Sequence, residues 1–157
     1  MRKRIITPVQ NQTVQPDKEW LNVEELAEVE ITSEDAAHPI ESALLPGAAP
    51  GWRAAWPGEQ TIRLVFAEPQ RLRRIRLHFV ETGAARTQQY VLRWSADGGQ
   101  SYREIVRQQW NFHPGEAGSE TEDHHVELEA VTVLELNIIP DISGGVAVAS
   151  LAELRLA

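Results

Sequence analysis

Thr61-Ile62-Arg63-Leu64-Val65-Phe66, then Glu68-Pro69, then Leu72-Arg73-Arg74-Ile75-Arg76-Leu77-His78-Phe79 is the stretch that decides the fold. Side chains alternate across a strand, so Ile62, Leu64 and Phe66 share one face and Arg63 and Val65 take the other. Ile75, Leu77 and Phe79 repeat the pattern, with Arg74, Arg76 and His78 outward. Tyr90, Leu92 and Trp94 form a third inward set. Asp97-Gly98-Gly99 follows as a hairpin signal, because Gly accepts the positive φ that such turns need. Working outward, Glu28 to Thr32 reads as the first strand. Leu134, Leu136 and Ile138 form another inward set, and Leu154 and Leu156 close the chain in the same pattern.

Between these runs the sequence is turn-like. Asn22-Val23-Glu24-Glu25 has capping-box spacing and predicts a short helical turn near 23–27. Helical periodicity is convincing nowhere else. Leu45 to Gly58 holds three Pro and three Gly around Trp52 and Trp56, too broken for a helix; the two Trp favour an ordered loop. Residues 1–18, with Pro8 and Pro16, read as an irregular arm. Glu116 to Glu129 carries six acidic residues and reads as a solvated loop running into a strand. Many short strands punctuated by turns indicate an all-β sandwich.

The turn residues carry a resemblance. Ile31-Thr32-Ser33, His38-Pro39-Ile40-Glu41-Ser42-Ala43-Leu44, Gly51-Trp52-Arg53-Ala54, the Tyr90 strand and the closing Ala149-Ser150-Leu151-Ala152-Glu153-Leu154-Arg155-Leu156 stand in a telling order and spacing. In this order the chain resembles the discoidin or coagulation-factor type C domain, a galactose-binding-like β-sandwich. The resemblance implies a single jelly-roll sandwich of about eight main strands over residues 28–157. Residues 1–27 would then be an N-terminal arm with a short helical turn. It also implies ligand binding on loops, without catalysis. Sugar-binding relatives often place an Arg in the loop matching Thr82 to Gln89, which implicates Arg86; Arg53 would come from the same rim. Trp52 and Trp94 are expected in the core, and Trp20 over one end of the sandwich. Many relatives hold calcium in the loop matching Leu45 to Trp52, but no carboxylate stands there, so no metal is expected at that place.

Composition narrows the rest. The chain has 157 residues and 42% hydrophobic content, enough for one domain with a sizeable core. There is no Cys, which excludes disulfides, Cys-based zinc sites and a Cys nucleophile, and leans towards a reducing compartment. Met1-Arg2-Lys3-Arg4 is followed by only Ile5-Ile6, too short for a secretory apolar region. A cytoplasmic location is the expectation. The net charge of -8 argues against nucleic acid and anionic membrane as partners.

Candidate constellations have ordinary and functional readings. Arg63, Arg71, Arg73, Arg74 and Arg76 suit an anion strip, but cross-strand pairing with residues such as Glu127 and Glu129 is the commoner arrangement. His124-His125 points to opposite faces of a strand, which disfavours a shared metal. Ser33, Asp35 and His38 lack any elbow or oxyanion-loop signature and read as turn formers. No defensible acid–base pair appears, so no enzyme and no cofactor are expected. Trp110-Asn111-Phe112-His113-Pro114-Gly115 combines flat rings with an amide and an imidazole. Two readings stand for it: a sugar-stacking site, or an aromatic plug at the end of the sandwich.

The sequence therefore predicts a non-catalytic module that binds a carbohydrate or polyol at one rim. Arg53, Arg86, Trp110, Asn111 and His113 are its candidate contacts. The alternative is an intracellular protein-interaction or adaptor module, or a homo-oligomer, using the same rim or the N-terminal arm.

Overall fold

Alternating burial along the chain produces two long strands that build most of the molecule. The computed structural model describes residues 20–47, 50–80, 85–113 and 118–157. In chain order the elements are α1 (Val23–Leu26), β1 (Ala27–Ile31), α2 (Glu41–Leu44), β2 (Trp52–Arg53) and β3 (Gln60–Val80). They continue with β4 (Arg86–Ser95), β5 (Arg103–Phe112), β6 (Ser119–Ile139), β7 (Ser150–Leu151) and β8 (Glu153–Leu156). The arm 1–18, Thr82 to Ala84 and Pro114-Gly115 lie outside the described residues.

β3 and β6 pair antiparallel along nearly their whole length, from Gln60↔Ile138 to Val80↔Ser119. Register shifts interrupt them between Val65 and Arg74, around Pro69. Pro has no N–H for a ladder, and bulged strands bend there. The ribbon folds back at this corner, with Leu72 and Val131 fully buried inside it. Its first layer is β1-β3-β6-β4-β5, using the first half of β3 and the second half of β6. Its second layer joins β8 to the second half of β3, which pairs with the first half of β6. The short β2–β7 pair stands beside them.

The inward sets meet in one apolar cluster. Ile62, Leu64, Phe66, Ile75, Leu77, Phe79, Tyr90, Leu92, Leu134, Leu136, Ile138, Leu154 and Leu156 are all buried in it. The Phe79 and Tyr90 rings lie 5.3 Å apart, joining the layers. Trp52 is buried as expected, and its indole N–H donates to the Ser33 carbonyl at 3.0 Å. Trp94 departs from expectation: at the hairpin end of β4 it is only partly buried against the cluster. α2 also departs from the reading that no helix follows the first turn. It is a single turn opened by Pro39, whose carbonyl accepts from Ser42 N–H at 3.0 Å, too short to show periodicity. α1 forms where the capping box stands, with Asn22 as its N-cap.

The arginine-rich outer face is largely paired, in line with the ordinary reading. Arg74 makes a two-pronged contact with Asp123 at 2.8 and 2.6 Å and lies 4.7 Å over the Trp20 ring. Arg63 donates to Glu135 at 2.8 Å, and Arg71 lies 3.8 Å from Glu127.

Gly51 shows how tightly the β7–β8 turn is approached. Its φ is +99°, and an added Cβ would lie 2.8 Å from the Leu151 carbonyl oxygen and 2.9 Å from Ala152 Cα. Both atoms are backbone and cannot swing away. Gly51→Ala is expected to cost about 2 kcal/mol or more, roughly 4–8 °C in Tm. Gly47→Ala meets open space at φ +75° and is expected to cost about 1 kcal/mol, from backbone strain alone. Equal losses in thermal melts of the two variants would contradict the close approach.

Candidate functional site

Strand register gathers one set of chain ends at a single rim. Gln60 opposes Ile138, Gln89 opposes Ile139, Arg86 opposes Phe112 and Val80 opposes Ser119. The segments before β3, before β4, after β5 and after β6 therefore share one end of the sandwich.

An open depression of about 470 Å³ lies there, lined by Ala85, Arg86, Thr87, Asn111, Phe112, His113, Asp141, Ile142 and Ser143. The start of β4 and the end of β5 supply one wall, the turn after β6 the other. The Ile142 N–H donates to the Thr87 carbonyl at 2.9 Å and locks the walls together. Thr87 Oγ1 donates to Asn111 Oδ1 at 2.6 Å. That bond occupies the carbonyl side of the Asn111 amide and leaves its NH2 without a partner among the described residues. Arg86 is half-buried, its guanidinium 5.5 Å over the Phe112 ring.

The Asp141 carboxylate is tied into its own turn. It accepts from Ser143 Oγ at 2.7 Å and from Ser143 N–H at 3.0 Å. These bonds, chiefly, and the nearby Arg86 charge hold it below the usual carboxylate range. The depression thus offers amide and guanidinium donors, an imidazole, a fixed anion and the half-exposed Ile142 side chain.

Of the candidates read from the sequence, Arg86, Asn111 and His113 come together here. Arg53 and Trp110 do not line the depression. Arg53 sits in the β2–β7 pair, its N–H bonded to the His38 carbonyl and its own carbonyl to Asp35 N–H, so it belongs with Asp35 and His38. Trp110 is exposed but takes the opposite face of β5 from Asn111, beside Gln88. Neighbouring strand residues alternate faces, so Trp110 and Asn111 cannot share one. Thr87, Asp141 and Ser143 were missed; the legible signal was Asp141-Ile142-Ser143-Gly144-Gly145, an Asp turn ending in two positive-φ glycines.

The other constellations have local explanations. Ser33 Oγ donates to Gln60 Oε1 at 2.7 Å and accepts from Ala55 N–H at 3.0 Å, so it is not aligned with His38. His38 Nδ1 lies 3.4 Å from Asp35. His124 Nε2 lies 2.8 Å from the Tyr90 hydroxyl. Among the described residues no group of three or more His, Cys, Asp or Glu side chains is placed to hold a metal ion.

The fold is the discoidin-type, galactose-binding-like β-sandwich of the family 32 carbohydrate-binding modules. A family 32 module from C. perfringens NanJ, solved in complex with galactose, is 16% identical, with a TM-score of 0.66 over 87% of this chain and 96% of that one. A Clostridium perfringens module, CpGH89CBM32-5, in complex with GalNAc-beta-1,3-galactose, is 19% identical, with a TM-score of 0.65 over 87% and 98%. The AlyQ module in complex with 4,5-unsaturated mannuronic acid is 14% identical, with a TM-score of 0.60 over 84% and 95%. Other similar stretches are parts of enzymes, such as a Ruminococcus gnavus GH29 fucosidase, of which 26% is matched. No protein-family profile and no curated protein sequence matches the chain.

Because Asp141 is depressed, its hydrogen bonds support the turn above the ordinary carboxylate pKa and are lost as pH falls through the depressed value. Carboxyl ¹³C NMR should show Asp141 titrating below a free Asp, and Ser143→Ala should raise its pKa towards the ordinary value. An unchanged titration in Ser143→Ala would show that the Ser143 side chain is not what holds the carboxylate down.

Proposed function

We propose that this protein is a non-catalytic carbohydrate-binding module whose ligand sits in the rim depression. The observation that carries this reading is the convergence of Arg86, Asn111, His113 and Asp141 around one open hollow beside Ile142. Sugars present many hydroxyls on apolar C–H faces. The Asn111 NH2 and Arg86 would donate to ring and hydroxyl oxygens, Asp141 would accept from hydroxyls, and Ile142 would meet the C–H face. The sugar complexes of modules with this fold support a carbohydrate as the ligand class. The hollow is open, so binding of a single sugar should be weak, about millimolar.

A second reading, a protein-interaction module, draws support from exposed apolar side chains on the rim loops. Trp56, Ile142 and Val146 are 53%, 49% and 86% exposed. The Trp56 and Val146 loops are adjacent, since Gly58 N–H donates to the Ala147 carbonyl at 3.3 Å.

A glycan array with wild-type and Asn111→Ala protein separates these readings. The expected result is a reproducible sugar signal that weakens about tenfold in the variant, with the melting temperature unchanged. A blank array with a protein captured through Trp56 would favour the second reading. A sugar signal indifferent to Asn111 and His113 would remove the depression as its seat.

A further inference from the structure

β1 ends the first layer, and its outer edge is open. It pairs only with β3, through matches such as Val29↔Leu64 and Ile31↔Ile62. The Thr32 N–H donates to the Thr61 carbonyl at 3.0 Å, which fixes the phase of this ladder. Backbone groups alternate between the two sides of a strand. Glu28 and Glu30 therefore address β3, while Val29 and Ile31 turn their N–H and C=O to the open edge. Among the described residues no backbone group meets them there. A strand edge of this kind is a template for one more strand.

The cover over the core stops at the same place. Leu64 and Ile62 are 1% exposed, whereas Val29 and Ile31, on the same face of the neighbouring strand, are only half-buried. Beside them a groove of about 340 Å³ runs between β1 and α2, walled by Val23, Val29, Ile31, Ile40 and Leu44. Glu24, Glu34 and Glu41 also border it. Glu34 accepts from the Ile40 N–H at 2.8 Å, which holds Glu34 and Glu41 together just past the end of β1.

The chain holds a segment of complementary chemistry. Residues 22–42 contain seven Asp and Glu and no Lys or Arg, whereas residues 1–15 contain Arg2, Lys3 and Arg4 and no Asp or Glu, so opposite charges stand on either side of Trp20. Ile5-Ile6-Thr7-Pro8-Val9 is β-branched apart from Pro8 and matches the five residues of β1 in length. In a strand Ile5, Thr7 and Val9 share one face, and Pro8 directs its missing N–H to the edge opposite theirs. Residues 1–19 lie outside the described residues, but the chain enters the fold close to the groove. Leu21 N–H donates to the Leu156 carbonyl at 2.7 Å, and Val23 already lines the groove. Residues 10–19 can span up to about 33 Å, more than the roughly 17 Å length of β1.

We propose that residues 5–9 of the same chain add to β1 as an antiparallel edge strand and close the groove. Ile5 lies opposite Ile31, Thr7 opposite Val29 and Val9 opposite Ala27. Ile5 and Thr7 exchange backbone hydrogen bonds with Ile31 and Val29, and the Ile5 and Val9 side chains cover the groove. Pro8 faces outward, where a missing N–H ends the sheet. Arg2, Lys3 and Arg4 reach Glu34 and Glu41. This strand shares no lining residue with the rim depression and stands whether or not a sugar binds there.

The test is amide hydrogen exchange of the full chain by NMR at about pH 6, with nuclear Overhauser contacts measured on a mixture of labelled and unlabelled copies. The Ile5 and Thr7 amides are expected to exchange at least about tenfold more slowly than in a free peptide, while Ile6, on the outer edge, does not. Thr7 should contact Val29 within one copy. Thr7→Pro removes an edge N–H and Ile5→Asp puts a charge in the groove; each should abolish the protection of residues 5–7 and speed exchange at Val29 and Ile31, with the core amides unchanged. Free-chain exchange at Ile5 and Thr7 would overturn the proposal, as would protection that survives both substitutions. Contacts between Thr7 and Val29 found only between differently labelled copies would overturn it too, assigning the edge to a second copy's arm. Slow exchange at Val29 and Ile31 beside a free-exchanging arm would assign it to another occupant.

Discussion

The pairing of β3 with β6 is the constraint on which the rest depends. One antiparallel ribbon, bent where register slips around Pro69, supplies the central strands of both layers. β1 and β8 attach to β3 and β4 to β6, while β5 attaches to β4. The closure of the core follows from the bend, since Leu72 and Val131 fill its inside and Phe79 reaches Tyr90 across the layers. A shift of one residue in this register would turn Ile62, Leu64 and Phe66 outward together. The long side-chain alternation on both strands makes that shift costly, because each apolar side chain left in water forfeits about 1.5–3 kcal/mol.

The bend also determines where chemistry can occur. Each half of the ribbon begins or ends at the same rim, so residues far apart in sequence reach one hollow. Arg86 and Asn111 arrive on paired strands, and Asp141 arrives on the turn that leaves β6. The candidate site therefore rests on strand ends and on one hydrogen-bonded turn, which fixes the positions of its donors. The same ribbon leaves one side of the sandwich open, where the first half of β6 lacks a second neighbour. Inward-facing carboxylates are tolerated there because water reaches them, whereas Leu77 and Phe79 opposite them are fully shielded.

Much of the fold was legible in the sequence because its period is two and its faces differ sharply. The inward sets of β3, β4, β6 and β8 could be named residue by residue, and the hairpin at Asp97-Gly98-Gly99 announced itself by composition. The hairpin forms as Asp97 accepts from Ser95 and Ser101 hydroxyls at 2.6 Å each. Single-turn α2 was not legible, since one turn has no period. Trp94 was half legible: alternation gave its face, but its distance from the open end of the hairpin is a tertiary matter. At the candidate site, the sequence named Arg86, Asn111 and His113, which the structure brings to one hollow. Trp110 was grouped with them for its flat ring beside an amide and an imidazole; on strand β5 it must face away from Asn111. Asp141 and Ser143 were overlooked although their turn is marked by Gly144-Gly145, because no local pattern states that the turn folds against Thr87.

The rim hollow as the seat of carbohydrate binding is tested most directly by amide chemical-shift mapping with whichever glycan the protein selects. Perturbations centred on Arg86, Thr87, Asn111, His113 and Ser143, saturating together with one dissociation constant, are expected. Saturable perturbations that spare these residues and centre elsewhere, for instance on the exposed Trp56 and Val146 loops, would contradict the assignment.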